Sequence, residues 1–192
     1  GENMTETAEQ TERQGSKEAE MLVLGCMLSY KNALETSCRV LSETDFYYAE
    51  HQVIFRALKS VWKSGGVSDV HLTCLELKRL EKLDFVGGVK QITSIAQYAG
   101  TSSYFEEYID KVKGYSNRRK LIKLASEIQG RSERGEDPQK IILSTQEQLK
   151  LIEQNKGSRD KFPIKFLSEF GDDYLVKEPP SKPMLLEYAN EK

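Results

Sequence analysis

The sequence predicts an all-α protein in which a compact helical bundle, the head, is followed by a protruding helical hairpin. Three observations support this fold class. Apolar residues recur at steps of three and four along most of the chain, as they do on one face of a helix. One such segment, which begins near residue 103, is far longer than the others. A reversal signal at residues 135–138 follows it, and a second helical pattern then returns.

The composition divides the chain of 192 residues into four parts. Residues 1–16 are almost wholly polar, so we expect a disordered leader. Residues 17–102 form the predicted helical head, and residues 103–154 form the predicted hairpin. Residues 155–192 are linker-like and contain four prolines, which disfavour helix.

The head begins with the clearest helical pattern, from about Lys17 to Tyr30. Acidic residues at its start suit the positive end of a helix dipole. A weaker pattern predicts a helix over residues 32–41. Another helix is predicted over residues 49–64, and the glycine pair at 65–66 ends it.

Two further helices complete the predicted head. Thr73 and Glu76 have the spacing of a capping box, which predicts the start of a helix there. The pair Gly87 and Gly88 permits a tight turn, and a last helix follows it and ends near Gly100. A phosphate-binding loop is the alternative for this glycine pair, but the lysine and hydroxyl residue of such a loop are missing.

The hairpin begins at a second capping-box pattern, residues 103–106. Its helical pattern persists to about Arg134, and at ~1.5 Å per residue such a helix is about 45 Å long, so we expect it to project from the head. Asp137 is the predicted N-cap of the returning helix and Pro138 its first residue. The pattern continues to about Gln154.

A hairpin of two helices leaves much apolar surface uncovered, so we expect it to pair with a second copy of itself. The residues predicted for this dimer interface are Tyr108, Ile109, Val112, Tyr115, Leu121, Ile122 and Ile128.

Charge and cysteine content exclude several classes of protein. Lys and Arg number 28 against 30 for Asp and Glu, so no basic total indicates nucleic acid. The three cysteines are an odd number without metal-ligand spacing, and we expect reduced, buried thiols. No apolar run approaches the ~20 residues of a membrane span, so we expect no membrane association and a cytoplasmic protein.

The familiar catalytic and phosphate-binding motifs do not occur in the sequence. His51 lies on a predicted helix face among bulky neighbours, which favours a packed or capping role over catalysis. A stand-alone enzyme would need a site built from His51, Asp45 and nearby tyrosines. We therefore predict no catalytic residue, metal or cofactor in this chain.

Basic residues on the long helix raise a second class of function, a helical DNA-binding domain. The candidate nucleic-acid contacts are Arg118, Arg119, Lys120 and Lys123. Acidic residues on the same helix dilute this basic stripe, so a solvated helix face is the simpler interpretation. A steep dependence of DNA affinity on salt would distinguish DNA binding from an assembly role.

Several short segments occur in a characteristic order along residues 17–154. They are EAEMLVLGCML at 18–28, LSETDFY at 41–47, His51 with Ile54 and Phe55, LKR at 77–79, LDFVGG at 83–88, Tyr108 with Val112, and RRKLI at 118–122. No single segment is specific. The ordered set resembles the N-terminal domain of DnaB-type replicative DNA helicases.

This resemblance implies a head and hairpin that pair into dimers and arrange as a trimer of dimers. In that family the domain forms a collar on a hexameric helicase ring during DNA replication, and a primase or helicase loader docks on it. DNA is then bound through the parent ring. The origin implied is bacterial, plasmid or phage.

The sequence departs from the family in two respects. It contains no nucleotide-binding loop. The chain alone is therefore expected to be no enzyme, while the parent is expected to be an ATP-dependent DNA helicase, with ATP and Mg bound only by a missing motor. Residues 155–192 would lead toward that motor, and their prolines indicate a divergent, plasmid- or phage-borne helicase.

Overall fold

A computed structural model describes residues 15–67, 69–99 and 105–154 of the chain. The described residues form seven α-helices and one short 3-10 turn, without strands, which confirms the predicted all-α class. The helices are α1 (Lys17–Ser29), α2 (Lys31–Val40), α3 (Ala49–Lys63), α4 (Val70–Arg79), α5 (Gly88–Gln97), α6 (Phe105–Glu133) and α7 (Pro138–Gln154), and the 3-10 turn is Glu43–Asp45. The predicted leader up to residue 14, Ser103 of the second capping pattern, and the segment 155–192 lie outside the described residues.

Helix α1 lies at the centre of the head. It packs against α2, α3, α5 and α6, and its residues from Val23 to Leu28 are all buried. A helix that is covered on most sides must be apolar on most sides, as this one is. Ser16 caps its start, because the Ser16 Oγ accepts a hydrogen bond from the Ala19 amide at 3.2 Å. Ser16 therefore belongs to the head, although we assigned it to the leader.

The approach of α1 to α5 requires a glycine. A Cβ added to Gly25 would lie 2.5 Å from the carbonyl oxygen of Ile95 and 2.9 Å from the amide nitrogen of Ala99. Both of these atoms belong to the backbone of the segment that contains α5 and its end, so no side chain can move aside. Gly25 thus fixes how closely the two helices pack.

The predicted start of α4 was wrong. The helix begins at Val70, and Asp69 is its N-cap, because the Asp69 Oδ1 accepts from the His71 amide at 2.6 Å. Thr73 lies one turn inside the helix and donates from its hydroxyl to the carbonyl of Asp69. Glu76 pairs with Arg79 and does not reach back to a cap. The N-cap of α4 is therefore Asp69, four residues before Thr73, the N-cap that the capping-box spacing predicted.

The hairpin agrees with the sequence. Helix α6 has 29 residues, about 43 Å at 1.5 Å per residue, and α7 returns along it. Gly135 adopts a positive φ of 71° in the reversal, and the Asp137 Oδ1 accepts from the Gln139 amide at 3.1 Å. Arg131 on α6 fastens the turn by donating to the Ser144 Oγ at 2.6 Å.

The long helix belongs to the head as well as to the hairpin. Phe105, Ile109 and Val112, in its first three turns, are buried in the same core as α1 and α3. Farther along, Leu124 of α6 and Ile141 of α7 are buried in the hairpin. The predicted boundary at residue 103 therefore falls at the start of a helix whose first third completes the head. None of the described helices is both long and apolar enough to cross a membrane.

Candidate assembly surface

The seven predicted interface residues fall into three groups by exposure. Ile109 and Val112 are fully buried against the chain's own head, so neither side chain has surface left for a second copy. Their periodicity correctly indicated an apolar helix face, but the head covers that face. We accordingly assign Ile109 and Val112 to the head core and remove them from the interface.

Tyr108, Tyr115 and Ile128 are half-buried. The Tyr108 ring packs against the head core, and the Lys111 ammonium lies 5.3 Å from the ring centroid. The Arg118 guanidinium lies 5.6 Å from the centroid of Tyr115. Because Tyr108 and Tyr115 are only partly buried, their rings can flank an interface without forming its centre.

Leu121 and Ile122 are exposed, at 44% and 55% of the full surface of each residue. Helix α7 adds more exposed aliphatic side chains on the second arm of the hairpin. The set that we call the hairpin apolar surface is Leu121, Ile122, Ile142, Leu143, Leu149 and Leu151. These six large aliphatic side chains are exposed on one two-helix element, and exposed apolar residues of this kind are a feature of surfaces at which proteins associate.

A shallow cleft runs between the two arms of the hairpin, with a volume of about 400 Å³. Its lining residues are Lys120, Lys123, Leu124, Glu127, Gln148, Leu151 and Ile152. Its lining therefore combines aliphatic and polar side chains, as the edges of protein interfaces do.

The four candidate nucleic-acid contacts do not form one open basic stripe. Arg118 and Lys123 are exposed, but Arg119 donates to the backbone carbonyls of Thr44 and Asp45, at 3.2 and 2.7 Å. The Lys120 Nζ lies 3.4 Å from the Asp45 carboxylate. The side chains of Arg119 and Lys120 therefore face the head and form hydrogen bonds within the molecule.

Asp45 is the centre of the contact between the 3-10 turn and α6. Its carboxylate is fully buried and accepts from the Lys113 Nζ at 2.8 Å and from the Ser116 Oγ at 2.6 Å. It also accepts from the backbone amide of Ser42 at 2.8 Å. Burial alone would raise the pKa of Asp45, but the hydrogen bonds from Lys113 and Ser116 and the charge of Lys113 outweigh burial and hold the pKa well below its ordinary value.

We did not predict from the sequence that Lys113 is buried. A signal was present, because Lys113 and Ser116 share the helical face of Ile109 and Val112, at steps of three and four. A lysine on an apolar face requires a buried acidic partner, and Asp45 is that partner.

The second buried polar cluster surrounds Glu20 of α1. Its carboxylate accepts from the Tyr47 amide at 2.6 Å and contacts the His51 Nδ1 at 2.7 Å. His51 is buried, which agrees with the packed role that we expected. Asp45 and His51 thus have different partners, and they do not combine into the site that a stand-alone enzyme would need. Within the described residues, no group of three or more His, Cys, Asp or Glu side chains is placed to hold a metal ion.

Fold and surface together define a class of protein: an all-helical domain whose bundle head carries a projecting hairpin with exposed aliphatic side chains. A family profile described as "DnaB-like helicase N terminal domain" matches residues 12–114, more than half of the chain. The chain belongs to this family of helicase N-terminal domains.

Individual relatives agree with this assignment. The "Replicative DNA helicase DnaB" of Treponema pallidum (strain Nichols) is 34% identical over 128 residues, which cover 67% of this chain and 29% of that protein. The "Replicative DNA helicase DnaC" of Bacillus subtilis (strain 168) is 33% identical over 130 residues, 68% of this chain and 29% of that protein. The chain therefore spans less than a third of the length of these relatives.

Two solved structures show the same fold. The N-terminal domain of DnaB helicase from Mycobacterium tuberculosis superposes with a TM-score of 0.64, at 23% identity, over 70% of this chain and 96% of that one. A second structure, described as a DnaB-like replicative helicase and its interactions with primase, has a TM-score of 0.62 at 22% identity, over 81% of this chain and 35% of that one. The head and hairpin are thus the shared architecture.

Proposed function

We propose that this chain is the assembly and docking part of a replicative DNA helicase, in which the hairpin pairs two copies and the paired copies form a collar on the helicase ring. Membership of the helicase N-terminal domain family supports the setting. The observation that carries the proposal is the hairpin apolar surface, because its aliphatic side chains remain exposed in the described part of the chain.

The geometry of the hairpin supports this pairing. Leu121 and Ile122 lie beyond the part of α6 that the head covers, and α7 carries four more exposed aliphatic residues. Burying such side chains contributes about 1.5 to 3 kcal/mol for each one that is fully covered, which favours association of two hairpins. A two-fold pair places the same surface of each copy against the other, so one apolar surface is enough.

The helicase activity belongs, in this proposal, to the parent protein. The relatives are replicative DNA helicases, and the part of them that this chain matches is under a third of their length. We assign ATP and Mg binding, and the unwinding of DNA, to the remaining length. The ring is then a trimer of hairpin dimers, and DNA is bound through that ring.

A primase or a helicase loader is the proposed docking partner. The structural neighbour described with its interactions with primase supports primase as the class of partner. We do not extend the proposal to direct DNA binding by the basic stripe, because Arg119 and Lys120 are turned toward Asp45 and the 3-10 turn.

The test is a pair of matched substitutions. Ile122→Glu places a charge on the hairpin apolar surface, and Val89→Glu places the same charge on α5 of the head, where the side chain is similarly exposed at 50%. Sedimentation equilibrium should show that Ile122→Glu raises the dimer dissociation constant about tenfold or more, a change of about 1.4 kcal/mol, while Val89→Glu leaves it unchanged. Equal constants for the two variants would count against the hairpin as the pairing surface.

A further inference from the structure

Helix α6 runs without a break from the head core into the hairpin, so the direction of the hairpin is set where α6 leaves the head. Val112 is the last apolar residue of α6 that is buried in the head core, and Leu124 is buried farther along the helix. Between these two positions, polar groups make the contacts of α6 with the head.

One carboxylate receives contacts from three positions of this stretch, spaced about one helical turn apart. Lys113, Ser116 and Lys120 all approach Asp45, at 2.8, 2.6 and 3.4 Å. Arg119 adds two hydrogen bonds to the carbonyls of Thr44 and Asp45. A segment of two helical turns is therefore fastened to a single point of the head.

The point of attachment is itself held in place. The Ser42 amide and the Ser42 hydroxyl both donate to the Asp45 carboxylate, at 2.8 and 3.0 Å, and close the 3-10 turn on itself. On the other side of the turn, Phe46 is buried in the core, and its ring centroid lies 5.0 Å from that of Phe55. The carboxylate thus cannot follow α6 if the helix rotates or slides.

Ionic hydrogen bonds and apolar contacts constrain a helix differently. Apolar packing is non-directional, so it defines the exact rotation and register of a helix less sharply than polar groups that must meet at set angles. Charge-assisted hydrogen bonds require short distances and defined angles, so a network of them selects one rotation and one register.

We propose that Asp45 is a positioning residue that fixes the direction in which the hairpin leaves the head. This inference rests on the proposed function and deepens it, because copies that close into a ring must present their hairpins at the same angle. The hairpin apolar surface then drives the association of two hairpins. The contacts of Asp45 with Lys113, Ser116 and Arg119 set the angle at which each hairpin is presented.

The test measures the distance between head and hairpin within one chain. Spin labels are attached to cysteines introduced by Glu50→Cys on α3 and Gln139→Cys at the hairpin turn, both exposed positions. The native Cys26, Cys38 and Cys74 are buried, and burial raises the pKa of all three thiols, to about 11 for Cys26 and Cys38, so they label slowly. Dilution with an excess of unlabelled chain makes every measured distance intramolecular.

Three variants are compared with the labelled parent. Asp45→Asn removes the charge with little change of shape, and the double variant Asp45→Asn with Lys113→Met also avoids leaving a lysine buried without its partner. The control is Glu43→Gln. Glu43 lies in the same 3-10 turn as Asp45, and the substitution breaks its ion pair with Arg56 of α3. Circular dichroism verifies that each variant is folded before distances are compared.

We expect a single narrow distance peak for the parent and for Glu43→Gln, and a broadened or shifted peak for the two Asp45 variants. If Asp45→Asn does not fold, the double variant alone decides. An unchanged peak in every folded Asp45 variant would overturn the inference. Because the distance is intramolecular, a chain that never pairs would refute the proposed function and would still allow this result to be read.

Discussion

The carboxylate of Glu20 and the imidazole of His51 lie 2.7 Å apart in the interior of the head, although 31 positions separate them in the sequence. The same carboxylate accepts from the Tyr47 amide at 2.6 Å and from the Tyr48 amide at 3.4 Å. One acidic side chain of α1 thus satisfies the polar groups at the start of α3. The cluster joins two helices of the core and is structural.

Glu20→Gln should lower the free energy of unfolding by about 1 to 3 kcal/mol, because an amide group would turn a donor toward groups that are themselves donors. Urea unfolding followed by circular dichroism measures this loss. The matched control is Glu50→Gln, an exposed position in the first turn of α3, which should change stability by less than about 0.5 kcal/mol. Equal effects at the two positions would contradict the structural role of Glu20.

Asp45 should make the protein sensitive to acid. Its pKa is held below the ordinary value of 3.8, so the stabilisation from its ionised carboxylate is complete above that value and is lost as the pH falls toward the lower folded-state pKa. The difference in unfolding free energy between the parent and Asp45→Asn should therefore be largest near neutral pH and should shrink below about pH 4. Urea unfolding of both proteins over this range is the measurement. A difference that does not vary with pH would show that the charge of Asp45 contributes nothing.

Ser37 and Ser116 should respond in opposite directions to the same substitution. The Ser37 hydroxyl is buried and has no hydrogen-bond partner among the described residues, so Ser37→Ala should leave stability unchanged or raise it by about 1 kcal/mol. The Ser116 hydroxyl donates to Asp45, so Ser116→Ala should lower stability by about 1 to 3 kcal/mol. Thermal and urea unfolding of the two variants side by side test this. Similar losses for both would mean that the Ser37 hydroxyl has a partner after all.

Two glycines offer a further matched pair. Gly25→Ala should destabilise the head by about 1 to 3 kcal/mol, because its Cβ would meet backbone atoms of Ile95 and Ala99. Gly114→Ala, in α6, meets nothing within 4 Å and should stabilise the protein by about 0.5 to 1 kcal/mol. Urea unfolding gives both values. A neutral Gly25→Ala would show that α1 and α5 can separate at little cost.

The sequence predicted those parts of the fold that depend on local signals. Gly65 and Gly66 end α3, and Asp137 and Pro138 start α7, because such residues act on their own turn of backbone. The start of α4 was misplaced because two capping signals competed, and the earlier residue, Asp69, formed the cap.

The predicted assembly surface was harder to define from sequence. Periodicity places Ile109 and Ile122 on helix faces equally well, but it does not tell which face the head covers. Only the packing of α6 on α1 shows that Ile109 is in the core and that Ile122 is exposed. In the same way, a count of basic residues includes Lys113 and Arg119, although their contacts with the 3-10 turn depend on residues about seventy positions away.

The central claim is that the hairpin apolar surface pairs two copies of the chain, and the solution mass tests it most directly. Sedimentation equilibrium of the unaltered chain over a concentration series should give an average mass that rises from that of the monomer, 21.9 kDa, toward twice that value or more. A mass of 21.9 kDa at every concentration would contradict self-association through the hairpin.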